Sequence, residues 1–353
     1  MLTPRRVSIG TSAAALSLLL VCIQPIVSAQ GPADKPPKPP SGVPPVQWPE
    51  DNPYSAAKAE LGRLLYFDKR VSSDGSMSCA SCHVPEKAFT DGAPVSTGIG
   101  GQKGGRSAPT VINQAYNTWQ FWDGRASSLE EQAKGPMANP IEMTSDKTAS
   151  AAHAAVVKRL KAVPGYVKLF EKVFGTKDFN VDHLAKAIAT FERTVYSGNS
   201  PYDRYNAGDK RAMTAPQIRG MDIFFNKVAC DSCHLGFNFT DGSYENIGIG
   251  MDKPEPDLGR FAISGKDEDK GAFKTPTLRD IEHTAPYMHD GSLKTLEEVV
   301  EHYNRGGIKN PYLNGRIKPL NLSDRDKSDL VAFLKALSGE GWQNIKSPEK
   351  FPQ

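Results

Sequence analysis

Cys79-Ala80-Ser81-Cys82-His83 and Cys230-Asp231-Ser232-Cys233-His234 are the two stretches on which the reading of the fold turns. They anchor a repeat. Each is followed by the same tetrad, Phe89-Thr90-Asp91-Gly92 and Phe239-Thr240-Asp241-Gly242. Further on, Pro109-Thr110-Val111 matches Pro276-Thr277-Leu278, Asp123-Gly124 matches Asp290-Gly291, and Leu129-Glu130-Glu131 matches Leu296-Glu297-Glu298. The last three pairs share an offset of 167 residues and the cysteines an offset of 151, so the second copy carries 16 extra residues, placed here in the loop Met251 to Lys270. A repeat at a fixed offset predicts two similar halves.

Every cysteine beyond residue 29 falls in one of the two pentads. In a C-x-x-C-H pentad two thiols can add to the vinyl groups of a haem, and the adjacent histidine is then held under the iron. Zinc would call for four ligands close together, whereas Cys82 and Cys230 stand 148 residues apart. A redox disulfide leaves the repeated histidine unexplained. The expected cofactors are two covalently bound haem c groups, one on Cys79, Cys82 and His83, the other on Cys230, Cys233 and His234.

Leu61, Leu64 and Leu65 precede the first pentad, and Ile218, Met221, Phe224 and Phe225 the second. Steps of three and four put each set on one helical face. Helices are also predicted from Ala151 to Phe174, interrupted near Pro164-Gly165, from Val181 to Tyr196, and from Ser323 as N-cap to Leu337, with Gly339 as the stop. Alternation with a period of two is nearly absent. The predicted fold class is mainly α: two cytochrome c-like haem domains related by internal duplication, with long loops.

Arg5 and Arg6, an apolar run from Ala13 to Val21 and the site Val27-Ser28-Ala29 read as an export signal over residues 1–29, cleaved before Gln30. The run is too short to span a bilayer comfortably. Residues 31–49 hold eight prolines, which predicts an extended, solvated tether over 30–51. The N-terminal haem domain then covers 52–200 and the C-terminal one 201–345. The chain has 43 basic and 40 acidic side chains, a net +3, and loss of the leader leaves +1. That balance argues against nucleic acid as a partner, and no later stretch is suited to membrane insertion. The expected location is a periplasm.

Phe121-Trp122-Asp123-Gly124-Arg125-Ala126, Glu131-Gln132-Ala133-Lys134-Gly135-Pro136 and Thr284-Ala285-Pro286-Tyr287-Met288-His289-Asp290-Gly291 join the pentads in carrying a resemblance. From about Leu61 to Gly339 the chain resembles the bacterial di-haem cytochrome c peroxidase / MauG family. The resemblance implies that the haem on His83 reacts with hydrogen peroxide and that the haem on His234 is the electron-transfer port. It implies Gln132 and Glu142 as the distal pair that moves the protons of peroxide, and Trp122 as a relay between the haems. It also implies one calcium ion, held by Thr284, Pro286 and an Asn that is Ser107 in this chain.

Two departures carry consequences. The family's activation-dependent peroxidases have a distal histidine where this chain has Ile99, and no histidine lies between His83 and His153. The first haem is therefore expected to be open. Over the second haem those peroxidases use Met, and the match here is Tyr303, as in the MauG branch; a phenolate stabilises oxidised iron. His302 and Met288 are the competing ligands. Three functions follow: a peroxidase that takes electrons from a small redox protein (cytochrome c or cupredoxin), a MauG-like oxidase that matures a quinone cofactor on a partner protein, and a plain di-haem electron carrier.

Overall fold

Ser55 caps the first helix, α1 (Ala56–Phe67), by accepting from the Lys58 amide, and the helix buries the predicted face of Leu61, Leu64 and Leu65. The computed structural model describes residues 34–353, so the export signal predicted over 1–29 lies outside the described residues. In the first half α1 is followed by α2 (Cys79–Cys82), α3 (Leu129–Met137), α4 (Ala149–Lys161), α5 (Pro164–Phe174) and α6 (Val181–Glu192). In the second come α7 (Pro201–Asn206), α8 (Ala215–Asp222), α9 (Phe261–Ser264), α10 (Leu296–Asn304) and α11 (Asp324–Lys335). The one sheet among the described residues is a two-residue pair, β1 (Tyr244–Glu245) antiparallel to β2 (Phe273–Lys274). The fold is mainly α.

Local chemistry explains most helix ends. Pro164 stands at the start of α5 and Gly175, at φ 72°, closes it. Ser323 and Asp326 form the capping box of α11. α6 stops four residues short of the predicted Tyr196, because beyond Arg193 the chain turns off and the Thr194 hydroxyl donates to the Phe191 carbonyl at 2.6 Å. α8 continues as a single π turn, Ile223–Lys227, that delivers the chain to the second pentad.

Each half is built on a helix crossing that admits no side chain. A Cβ on Gly62 of α1 would lie 1.9 Å from the Ala187 carbonyl oxygen of α6, and one on Gly220 of α8 would lie 1.9 Å from that of Asp329 in α11. Around the first crossing Leu61, Leu65, Tyr66, Phe89, Phe170 and Phe191 form one core; around the second Phe224, Phe239, Val300, Leu330 and Phe333 form another. Burying such a side chain contributes roughly 1.5–3 kcal/mol.

The chain ends depart from expectation. The segment predicted to be a solvated tether up to residue 51 is docked from Asp34 onward: the Asn199 amide donates to the Ser41 carbonyl at 2.6 Å, Tyr116 to that of Pro44, and Arg279 to that of Gly42. Proline removes donors and leaves every carbonyl available, so a proline-rich strand can dock through its acceptors. Arg279, 1% exposed, also grips Asp203 through two bonds of 2.8 and 2.9 Å. At the other end Trp342, placed by the sequence in the second domain, packs in the first core, and the Gly165 amide donates to the Gln353 carbonyl. Residues 34–353 accordingly cluster as one compact unit.

Gly62→Ala and Gly220→Ala should each destabilise the protein by about 2 kcal/mol or more, since backbone carbonyls cannot move aside. Denaturant titration checks this; a cost below a few tenths would mean that the helices can separate freely.

Candidate functional site

Two left-handed residues in succession, Ala88 and Phe89 at φ 51° and 59°, turn the chain after the first pentad so that the Phe89 carbonyl lies 3.2 Å from Nδ1 of His83. Phe239, at φ 52°, presents its carbonyl 2.9 Å from Nδ1 of His234. A threonine braces each turn: Thr110 donates to the Ala88 carbonyl and Thr277 to that of Asn238, both at 2.7 Å. A carbonyl on Nδ1 fixes the proton there and leaves Nε2 as a lone-pair donor. Burial lowers both histidine pKa values and so favours the neutral, ligating form.

Both histidines line a single cavity of about 1100 Å³ that runs through the two halves. Cys82, Cys230 and Cys233 line it with them, while Cys79 packs at the edge of the first core. The four thiols are unpaired, and burial pushes each pKa up, that of Cys82 to about 11. A redox dithiol needs the opposite shift. Unpaired thiols in C-x-x-C pairs, a histidine with a free Nε2 after each pair, and a large cavity between them fit two covalently attached haems.

The same cavity gathers Gln132, Glu142, Trp122, Ser107, Thr284, Pro286 and Tyr303. Glu142 is half-buried; burial raises its carboxyl above the ordinary range, against the charge of Arg125 and a 2.6 Å bond from Asn139. Ile99 is buried and is not among the residues that line the cavity; its amide donates to the Glu142 carbonyl, and Ser96 and Gly98 line the wall on that loop. Of the competing candidates near the second pentad, His302 is outside the lining, its Nε2 3.0 Å from the Ile247 carbonyl, whereas Met288 lines the cavity with Tyr303.

The 167-residue register aligns the two sides of the cavity. α3 and α10 begin alike, Ser128 and Thr295 capping them and Leu129 and Leu296 buried. From these helices Gln132 and Pro136 line the first half where Val299 and Tyr303 line the second. Between the halves the register shows a reciprocal contact: the Ser107 amide donates to the His289 carbonyl and the Lys274 amide to the Trp122 carbonyl, both at 2.7 Å. Ser107 and Lys274 are counterparts, as are Trp122 and His289. The Trp122 indole closes the junction by donating to the Ser107 carbonyl at 2.9 Å.

Charge braces this junction from outside. Arg106 pairs with Asp123 at 2.6 Å and with Asp257 of the extra loop at 2.6 Å, and Arg260 of that loop donates to the Asp123 and Gly124 carbonyls. Two buried charged residues that the sequence reading did not single out also line the cavity, Glu192 and Lys274. Glu192 had a signal: it continues the Leu184, Ile188 stripe of α6, and burial pushes its carboxyl up to about 8. Lys274 had one only in the register.

Comparison with known proteins agrees with the geometry. A family model described as di-haem cytochrome c peroxidase matches residues 56–211. The methylamine utilization protein MauG of Methylorubrum extorquens is 44% identical over 298 residues, 84% of this chain and 82% of that protein. Cytochrome c551 peroxidase of Nitrosomonas europaea is 40% identical over 291 residues, 82% of each. The crystal structure of a MauG-like protein associated with microbial copper homeostasis superposes with a TM-score of 0.78 at 36% identity, covering 86% of this chain and 95% of the other. With two haem-binding pentads on one cavity and relatives this similar over this much of its length, the chain belongs to the di-haem cytochrome c peroxidase family.

Proposed function

We propose that this chain is a periplasmic peroxidase that reduces hydrogen peroxide in the first half with electrons delivered through the second by a small redox protein. One observation carries the reading: a single cavity reaches both pentads, through Cys82 and His83 on one side and Cys230, Cys233 and His234 on the other, and Gln132, Glu142 and Trp122 line it too. Cys79, Cys82 and His83 hold one haem and Cys230, Cys233 and His234 the other; when bound, the two irons supply the electron exchange. The repeated turns, caps and reciprocal junction support an origin of the halves by internal duplication.

Reduction of peroxide to two waters consumes two electrons and two protons. Glu142, its carboxyl raised by burial, takes a proton from the near oxygen and returns it to the departing one, and Gln132 orients the peroxide by hydrogen bonding. Access in the first half follows from Pro136, which has no donor atom to offer where the second half offers the Tyr303 hydroxyl. His83 is the one imidazole that the first half contributes to the lining among the described residues. A calcium ion at the junction is supported by the Thr284 and Pro286 carbonyls, which carry no hydrogen bond among the described residues, and by Ser107 in the same cavity lining, with waters supplying the remaining oxygens. Elemental analysis reads that ion directly.

Tyr303 favours a second reading, peroxide-driven oxidation of a partner protein, because a phenolate on the second iron stabilises its oxidised states. A plain electron carrier has no use for the Gln132 and Glu142 pair.

Addition of peroxide should oxidise reduced cytochrome c or cupredoxin catalytically without prior reduction of the protein. Stopped-flow absorbance checks this: turnover supports the peroxidase, reaction with peroxide but no turnover with any small donor points to a protein substrate, and no reaction points to a carrier. Trp122→Phe should retain both haems and the reaction with peroxide yet lose most electron delivery from a pre-reduced second haem; an unchanged inter-haem rate would leave the indole a packing role. Tyr303→Met should raise the potential of the second haem, and an unaltered spectrum and potential would remove Tyr303 from the iron.

A further inference from the structure

Lys274 is 7% exposed and lines the cavity, yet its ammonium has no ion pair and no hydrogen bond among the described residues. Lys58 is equally buried and shows how this protein otherwise treats such a group: its Nζ donates to Asn52 Oδ1 at 2.7 Å and to the Pro53 carbonyl at 2.6 Å. Once the cavity is occupied, an ammonium there without an anion is an unfavourable arrangement. The acids around the cavity are committed elsewhere. Asp123 and Asp257 pair with Arg106, Glu245 with Arg316, and Glu142 accepts from Asn139. Glu192 remains, on α6 of the other half, and exerts no resolved influence on Lys274; burial alone pulls the ammonium down, to about 8.

An isolated cation facing a cavity, held by its own backbone to Trp122, is placed for an anion that arrives with the cavity's occupant. We propose that Lys274 is the counter-charge for a carboxylate of a porphyrin bound between the halves, and that it tunes the potential of that porphyrin's iron. The inference rests on the di-haem reading. The carboxylate can belong to the porphyrin on His234, whose half contains Lys274, or to the one on His83, since Lys274 sits at the junction. A fixed positive charge beside a haem favours the reduced iron, which carries one positive charge fewer. Lys274 touches no reacting atom in this scheme and acts by position alone.

The test is a spectroelectrochemical titration of both haems in the whole protein, with Lys274→Gln and Lys274→Arg beside the parent and haem content measured as the pyridine haemochrome. Lys274→Gln should lower the midpoint of one haem, and Lys274→Arg should restore it. Which midpoint moves tells which porphyrin supplies the carboxylate. If Lys274→Gln loses a haem while Lys274→Arg keeps it, the counter-charge role is equally supported. Two haems with both midpoints unchanged in Lys274→Gln would overturn the proposal, as would an arginine variant indistinguishable from the glutamine one. A parent protein without covalent haem would overturn the di-haem reading instead, so the two failures are distinct.

Discussion

The two halves meet through main chain. Ser107 N–H to the His289 carbonyl and Lys274 N–H to the Trp122 carbonyl form a reciprocal pair, each 2.7 Å long, at counterpart positions. A backbone hydrogen bond contributes only about 1 kcal/mol net, but leaving a buried amide or carbonyl unpaired costs more. Separation of the halves would strand four such groups and break the Arg106–Asp257 ion pair. Main-chain and side-chain contacts thus hold the two pentads against one shared cavity.

That arrangement explains what could be read in the sequence. The pentads, the register and the apolar helix faces are local or strictly periodic signals, and α1, α4, α5, α6 and α11 form close to where their spacing and caps place them. The register also pairs Trp122 with His289, which the fold brings to one junction. Less local features escaped. The docking of residues 34–51 depends on Asn199 and Arg279, more than 140 residues away, and a proline-rich composition says nothing about such partners. Trp342, with Ile345 and Phe351, returns to a core whose other members end at Val195.

Ile99 illustrates a finer limit. The loop is tied to Glu142 through the Ile99 backbone, yet Ile99 is buried outside the cavity lining, to which Gly98 belongs. A matched position fixes where the chain runs; the neighbours decide which way a side chain points. Gly98 packs so closely on Ile141 that a Cβ would come within 2.0 Å of its carbonyl oxygen, and this contact orients the loop. On the cavity wall the register puts Pro136, which has no ligating side-chain atom, where the second side has Tyr303.

Where the register pairs the two sides of the cavity, a few positions differ in kind. Gln132 stands against Val299 and Pro136 against Tyr303: the first side has an amide where the second is aliphatic, and the second has a phenol where the first has none. Counting from the helix crossings, Glu192 stands against Leu334, both lining the cavity, and Ser107 stands against Lys274. The first half thus buries a carboxyl and the second an ammonium, neither matched within its own wall. Charges in a low-dielectric interior act over longer distances than they do in water. A lone buried lysine raises the affinity of its neighbourhood for an electron, and a buried carboxylate lowers it once ionised. Under the proposed function, these paired differences are what would let electrons enter at one haem and meet peroxide at the other.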